Sequence, residues 1–270
     1  MSPVDGKMQH DFTFAICAYK DSPYLEEAVL SAKKQSVPVD IFIATSTPSD
    51  YIRNIAQKYD IPCYENPKKE GIAADWSFAA SHIKTPYGAI MHQDDVYFPE
   101  YAERVVSGMK KSPETLIAFT DYCDLMSDGK YHKHRMYLYI KRILLWAFYL
   151  KKVHRSRFWK RSALILGNAI CCPAVSYNME KLKELTFDTS YSVNLDWAKW
   201  LSLANTPGAF VFIPSVLMAH RIADSMETAS AIADNRRYNE DKRIFESIWG
   251  KKIAWFLMHF YKKAYASNGN

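Results

Sequence analysis

From Phe12 to Thr120 the chain alternates short apolar runs, rich in aromatic and β-branched residues, with segments whose apolar residues recur at helical spacing. Residues 12–18 (FTFAICA), 39–44 (VDIFIA), 61–64, 87–92 (YGAIMH) and 116–120 read as strands. Between them, Ser22-Pro23 opens a pattern with Leu25, Ala28, Val29 and Ala32 on one face. Residues 45–50 form a turn that caps a helix from about Tyr51, residues 72–82 form another, and Phe98-Pro99 starts the next. Strands alternating with helices at this spacing imply βαβ units and a mainly parallel sheet. Such sheets bind ligands beyond the carboxyl ends of their strands. The loops at 19–22, 46–49 and 93–95 are therefore functional candidates before any motif is considered. No GxGxxG or GxxxxGK[ST] occurs, which removes support for a dehydrogenase or P-loop enzyme.

The alternation breaks near Asp128. Residues 130–161 are basic and aromatic, 162–220 return to mixed α/β character, and 236–264 carry a helical pattern. No Pro/Gly/Ser-rich linker separates two units. The expectation is one α/β domain over 1–235, with 130–161 as a basic-aromatic insertion, followed by an amphipathic helical tail over 236–270.

Charge is segmental. Eleven Lys and Arg fall between Lys130 and Arg161, while no Asp or Glu lies between Gly129 and Met179. Such a bias points to an anionic partner: lipid headgroups, a phosphorylated substrate or nucleic acid. The basic residues sit among long apolar runs without a recognised motif, so no nucleic-acid partner is expected. Residues 137–159 (YLYIKRILLWAFYLKKVHRSRFW) and 251–265 (KKIAWFLMHFYKKAY) flank short apolar blocks with Lys, Arg, Trp and Tyr. That recipe suits a helix lying in a membrane interface, and its occurrence twice favours membrane-surface contact over the competing account of a core-packing stripe or a dimer seam. No apolar run reaches the roughly 18–20 residues a spanning helix needs. Residues 1–11 are polar, without the apolar stretch of a signal peptide. The expected location is the cytoplasm, with possible contact at the inner face of the cell membrane. Five cysteines without CxxC spacing argue against a disulfide framework or a zinc site.

Met91-His92-Gln93-Asp94-Asp95 ends a strand with two adjacent carboxylates, which repel unless compensated. Mg²⁺ or Mn²⁺ compensates such a pair and also binds substrate phosphates. The competing account is that Asp94 or Asp95 caps the helix beginning near Pro99. Asn194-Leu195-Asp196-Trp197 precedes the helical pattern Trp197, Trp200, Leu201, Leu203. There Asp196 could cap the helix or, in a cleft, take a proton from an attacking hydroxyl. Gly167-Asn168 is either part of a pocket or a plain turn.

Taken in order, these segments resemble glycosyltransferase family 2, whose members are inverting enzymes of the GT-A fold. Cys17-Ala18-Tyr19-Lys20, with Tyr24-Leu25 and residues 31–35, is similar to that family's opening nucleotide-binding strand and helix. Glu70-Gly71 and the following Ile72-Ala73-Ala74-Asp75-Trp76 resemble the helix under the donor. His92-Gln93-Asp94 stands where the family has its metal-binding DxD, Asn194-Leu195-Asp196-Trp197 where it has the motif with the catalytic base, and His220-Arg221 where a late histidine completes the metal site. The resemblance spans Phe12 to about Ser230.

It implies a GT-A, Rossmann-like, mainly parallel sheet flanked by helices, and a sugar transfer from a nucleotide-diphosphate-sugar to an acceptor hydroxyl. Asp196 would be the base. Ala18, Tyr19, Ser46, Gly71, Asp75, Gln93, Asp94 and Arg221 would contact the donor, while Asp94, Asp95 and His220 would hold Mn²⁺ or Mg²⁺. Gly167, Asn168 and Trp197 would border the acceptor, a glycan or a lipid-linked molecule of bacterial surface polysaccharide synthesis. After His220-Arg221, Ser225-Met226-Glu227-Thr228 forms a polar loop that could close over the donor. Two departures stand out. The acidic residues that usually follow the family's second strand are replaced by Thr45-Ser46-Thr47-Pro48-Ser49-Asp50, leaving uridine as a default guess for the base. The first DxD position is His92, which puts the usual ribose contact in question. Rival readings are a sugar nucleotidyltransferase, which should carry a Gly-rich basic loop after the first strand, and a non-catalytic nucleotide-sugar or membrane-binding module.

Overall fold

The structure is a computed structural model and describes residues 10–222 and 235–267. The polar loop at Ser225–Thr228 lies outside the described residues. The strands are β1 (Phe12–Ala18), β2 (Asp40–Thr45), β3 (Cys63–Glu65), β4 (Tyr87–His92), β5 (Val96–Tyr97), β6 (Thr115–Leu125), β7 (Tyr131–His132), β8 (Val153–His154), β9 (Val175–Asn178) and β10 (Ala209–Arg221). They join one sheet of order β3-β2-β1-β4-β9-β6-β10-β5, with β7 beside β6 and β8 beside β10. β3, β2, β1 and β4 pair in parallel, as do β6 and β10. β9 runs against both β4 and β6.

The crossovers are α1 (Leu25–Lys33), α2 (Asp50–Lys58), α3 (Ile72–Ser81) and α4 (Tyr101–Lys110). Apolar alternation along β1 explains the layering. Phe12, Phe14, Ile16 and Ala18 enter one core with α1, α2 and α4, while Ala15 enters the other with α3. Side chains alternate across a strand, so a strand apolar on both faces needs helices on both sides. Register places Ala18 opposite Thr45, Thr45 opposite Glu65, and Cys17 opposite His92. The four parallel strands thus end at one level, and the loops beyond them share one edge.

After β6 the basic-aromatic segment breaks into α5 (Met136–Leu144), α6 (Trp146–Leu150), β8 and α7 (Arg157–Ser162), rather than one interfacial helix. Several of its cations are used internally. Lys160, 1 % exposed, donates from Nζ to the carbonyls of Thr206 (2.6 Å) and Gly208 (3.0 Å), just past the end of α9 (Leu195–Asn205). A lysine there satisfies carbonyls near a helix C-terminus, where the macrodipole favours a cation. Between α7 and α9 lies the one-turn α8 (Met179–Leu182).

The final helix, Arg236–Ser267, is interrupted at Gly250, whose φ of +74° suits glycine and breaks the helical path. It is anchored rather than trailing. Ile244, Phe245, Ala254 and Met258 are buried in the same core as Trp76, Trp197 and Trp200. Phe245 meets Trp197 edge-on at 5.2 Å between ring centroids. Fully burying one such ring is worth roughly 1.5–3 kcal/mol, enough to tie this helix to the domain.

Candidate functional site

The loops beyond the parallel strands are stitched to one another. Tyr19 N–H donates to Gln93 Oε1, and Gln93 Nε2 returns a bond to the Tyr19 carbonyl, each at 3.0 Å. Lys20 N–H donates to Thr47 Oγ1 at 2.6 Å. Ser46 Oγ and Asn66 Nδ2 both donate to the Asp75 carboxylate, each at 2.8 Å. Gly71 precedes α3 with φ +90° and open space where a Cβ would stand, a conformation that glycine adopts freely. Ala18 is buried at the end of β1, whereas the Tyr19 ring is exposed. Ala18, Tyr19, Ser46, Gly71, Asp75 and Gln93 thus gather along the sheet edge. The turn after β2 has no acid before Asp50, the first residue of α2, yet α3 delivers Asp75 to Ser46 from 29 residues downstream. Asn66, also part of this group, was missed because nothing local marks it.

His92, Asp94 and Asp95 form the deeper part of the edge. One potential ligand atom from each lies within 4.8 Å of the others. Neither carboxylate caps α4, whose N-cap is Glu100, so the capping account fails. Asp95 is fully buried. Its Oδ1 accepts from Arg221 N–H at 3.0 Å and pairs with His220 Nδ1 at 2.9 Å. Its Oδ2 has no hydrogen-bond partner and lies 3.5 Å from His92 Nδ1. A buried carboxylate oxygen without a hydrogen-bond partner is costly, and a bound ion is one way to satisfy it. With Asp94 adjacent and the His92 imidazole beside it, the donor set fits a divalent cation.

Electrostatics follow from these contacts. Burial alone would raise the Asp95 carboxyl, but His220, His92 and the Arg221 N–H outweigh it and hold it below its usual range. Asp94 is pushed up, by burial first and by the Asp95 charge second. Burial opposes charging of His220, yet Asp95 and Asp94 overcome it and raise the imidazole.

His220, expected as a ligand, bonds Asp95 through Nδ1 and is not one of the three residues whose potential ligand atoms cluster. His92 is the histidine of that cluster, and its ring stacks on Trp76 with 5.0 Å between centroids. Arg221, expected on phosphate, is only 5 % exposed. Its Nε donates to the Asp94 carbonyl at 2.8 Å, its Nη2 pairs with Glu27, and its guanidinium lies 4.0 Å over the Tyr24 ring. It clamps the Asp94-Asp95 loop to α1.

Asp196 sits in the first turn of α9. Its Oδ1 accepts from Trp197 N–H and its Oδ2 from Asn168 Nδ2, both at 2.7 Å. Burial raises its pKa, outweighing those bonds and the nearby Arg237 and Lys141 charges. Asn168 Oδ1 is buried without a partner. Cys172 links the two carboxylate centres. Its Sγ lies 3.8 Å from His92 Nε2, and burial, then the charges of Asp196 and Asp95 among others, keeps it a neutral thiol.

The turn before α9 is held from the far end of the sequence. Glu240 accepts from Ser192 N–H and Oγ, from Val193 N–H and from Asn194 N–H, at 2.7–3.0 Å. Asn194 Nδ2 donates to buried Asp241 at 2.7 Å. Gly167 has φ +145°, and a Cβ there would come within 2.2 Å of Tyr261 Oη. The glycine thus admits the C-terminal helix rather than a ligand. Trp197, expected on the acceptor side, is 1 % exposed and donates from Nε1 to the Leu164 carbonyl at 2.9 Å, so it belongs to the core.

A mixed sheet with carboxylates at the ends of its parallel strands, and a further one at a helix start beyond β9, is the arrangement of a GT-A-type fold. The family model "Glycosyl transferase family 2" matches residues 13–176, and the chain belongs to that family. An uncharacterized glycosyltransferase of Rickettsia typhi is 23 % identical over 239 residues, covering 87 % of this chain and 69 % of that protein. A counterpart from Rickettsia prowazekii is 24 % identical over 230 residues, with 83 % and 68 % covered. Among solved structures, the mannosyltransferase PcManGT of Pyrobaculum calidifontis, in complex with GDP-Man and Mn²⁺, superposes with TM-score 0.62 at 13 % identity, over 98 % of this chain and 77 % of that one. S. aureus TarS 1-349 in complex with UDP-GlcNAc gives TM-score 0.58 at 13 % identity, over 82 % and 61 %. A longer S. aureus TarS chain gives TM-score 0.57 at 12 % identity, and this chain spans 39 % of it. No helix among the described residues is long and apolar enough to cross a membrane.

Proposed function

We propose that the protein transfers a sugar from a nucleotide-diphosphate-sugar to an acceptor hydroxyl, with inversion, in the building of a bacterial surface glycan at the cytoplasmic face of the membrane. The observation that carries this is the pairing of two unlike carboxylate centres, one compensated and one desolvated. They share a sheet edge in a chain of glycosyltransferase family 2.

The Ser46–Asp75–Asn66 group and the exposed Tyr19 ring receive the nucleoside. Uridine is the first base to test, although the relatives above include one with GDP-Man. His92, Asp94 and Asp95 would hold a divalent cation, Mn²⁺ or Mg²⁺, which supplies charge neutralisation for the diphosphate leaving group. His220 and Arg221 keep Asp95 and Asp94 in place, since groups that orient ligating carboxylates tune affinity as much as the ligands do.

Asp196, its pKa raised, accepts the proton of the acceptor hydroxyl. The acceptor oxygen forms its bond to the anomeric carbon as the bond from that carbon to the diphosphate oxygen breaks. The products are the nucleoside diphosphate, the glycoside and protonated Asp196. Asn168, bonded to Asp196 through Nδ2, would accept a hydrogen bond from the acceptor at its unpartnered Oδ1. Holding both reactants in one geometry supplies much of the acceleration.

Incubation of the protein and of Asp196→Asn with a panel of nucleotide-sugars, Mn²⁺ and membrane-extracted acceptors tests the reading. Metal-dependent release of one nucleoside diphosphate, coupled to a new glycoside and lost in the variant, supports it. Activity equal in the two proteins would refute the role of Asp196.

A further inference from the structure

Ten of the large apolar side chains that this molecule exposes lie between Met136 and Leu166. On α5, Met136, Ile140 and Ile143 form an i, i+4, i+7 stripe facing outward, with Tyr139 beside it. Trp146 and Leu150 continue the stripe on α6, and Phe158 joins it on α7; the six residues of the stripe are 51–79 % exposed. The pieces are contiguous, because Trp146 meets Trp159 at 5.8 Å and Phe158 meets Trp159 at 5.0 Å. A continuous apolar patch of this kind marks an interaction surface.

Charge selects the occupant. No acidic residue lies between Gly129 and Met179. Of the basic residues, Arg135, Arg142 and Arg155 are spent on Asp124, Asp121 and Glu114, and Lys160 is buried. Lys133, Lys151 and Arg157 remain exposed around the patch. A symmetric dimer across this face would bring like charges together, at a cost to association. An anionic bilayer surface instead offers phosphates to the cations and an acyl boundary to the apolar stripe.

We propose that the α5–α6–α7 face docks on an anionic lipid bilayer, with Ile140, Ile143, Trp146 and Leu150 entering the headgroup–acyl boundary while Lys151 and Arg157 meet lipid phosphates. α5 also flanks the site on its inner side. Arg142 Nε holds Asp121 at 3.0 Å, and Lys141 lies within electrostatic reach of Asp196 and His220. Docking therefore sets the Asp196 centre beside the lipid surface and suits an acceptor carried on lipid; that last step rests on the transferase reading, whereas docking does not.

The test is co-sedimentation of the full chain with vesicles of phosphatidylcholine alone or mixed with phosphatidylglycerol, alongside sedimentation velocity without lipid. The wild type should pellet with the anionic vesicles. Ile143→Glu/Trp146→Glu should lose roughly tenfold or more of that partitioning, with melting temperature and Mn²⁺-dependent nucleotide binding unchanged. Lys151→Glu/Arg157→Glu should weaken binding in proportion to the anionic lipid content. Wild type left in the supernatant, or pelleting equal to that of the Ile143/Trp146 variant, overturns the proposal. So does a wild-type dimer that the same variant dissolves, which assigns the face to a second copy. Loss of nucleotide binding in the wild type, with vesicle binding intact, would instead remove the transferase reading alone.

Discussion

Asp95 and Asp196 are carboxylates of one sheet edge, and their surroundings move them in opposite directions. Asp95 is wholly buried yet held below the usual carboxylate range, because His220, His92 and the Arg221 N–H outweigh its burial. Asp196 is partly exposed yet pushed up by burial, because an amide and a single backbone N–H are what it bonds. A carboxylate compensated by cations is suited to stay charged and hold a metal ion. One left undercompensated is suited to exchange a proton. Pairs of titratable groups pushed apart in this way mark a division of labour within a site.

The comparison breaks most visibly at Asp196. In the Asp196→Asn variant, turnover should fall by about 10²–10⁴-fold, the usual range for a lost general base, while nucleotide affinity stays within error. A smaller effect is expected behind the metal corner. His220→Ala should weaken Mn²⁺ affinity by about 10–100-fold, read by titrating the ion against nucleotide binding. Unchanged Mn²⁺ affinity would mean that Asp95 does not need its imidazole partner.

The two centres also differ in what supports them. Glu240→Gln keeps the shape but removes the charge that gathers Ser192, Val193 and Asn194. It should cost about 1.5–3 kcal/mol in urea unfolding, the range for hydrogen bonds to a charged group. Burial alone would raise the Glu240 carboxyl, but those N–H groups and the Ser192 hydroxyl bring it below its usual value. Its contribution is therefore present above the unfolded-state pKa and lost as pH falls through the folded one. The stability difference between wild type and variant should shrink on acidification through that window.

The smallest expected effect is a shift in the pH–rate profile. Burial raises Asp196, so the acidic limb of kcat should lie above the 3.8 of an unperturbed aspartate. Activity then falls as pH drops through that raised value. In stability the sign reverses: a raised carboxyl makes the ionised form a liability, so Asp196 favours folding less as pH rises through its folded pKa.

Legibility in the sequence followed the range of the forces. Period-two and helical apolar patterns are local, and β1, β4 and α3 were read within a residue or two. The Asp94-Asp95 corner was readable because adjacent carboxylates at a strand end are a local signal. What compensates them was only partly readable. His220 and Arg221 were singled out, but their task is to hold Asp95 and Asp94 from 125 and 127 positions away. The Asp196 corner was harder still. Glu240 and Asp241 reach its turn from a segment that read as a tail, across 46–48 positions. The resemblance put Trp197 at the acceptor, yet helical geometry turns it into the core, where Phe245 meets it. The basic charge of 130–161 could not reveal from sequence which cations are consumed inside, as Lys160 and Arg142 are.

Calorimetric titration of nucleoside diphosphates and nucleotide-sugars, with Mn²⁺ or with chelator, tests the division of labour most directly when run on Asp94→Ala and Asp196→Asn side by side. The account predicts that one nucleotide binds the wild type and Asp196→Asn with equal affinity only when Mn²⁺ is present, and that Asp94→Ala abolishes this binding. Binding that ignored both the metal and Asp94, or that was lost on Asp196→Asn, would contradict the assignment of donor and acceptor chemistry to separate carboxylate centres.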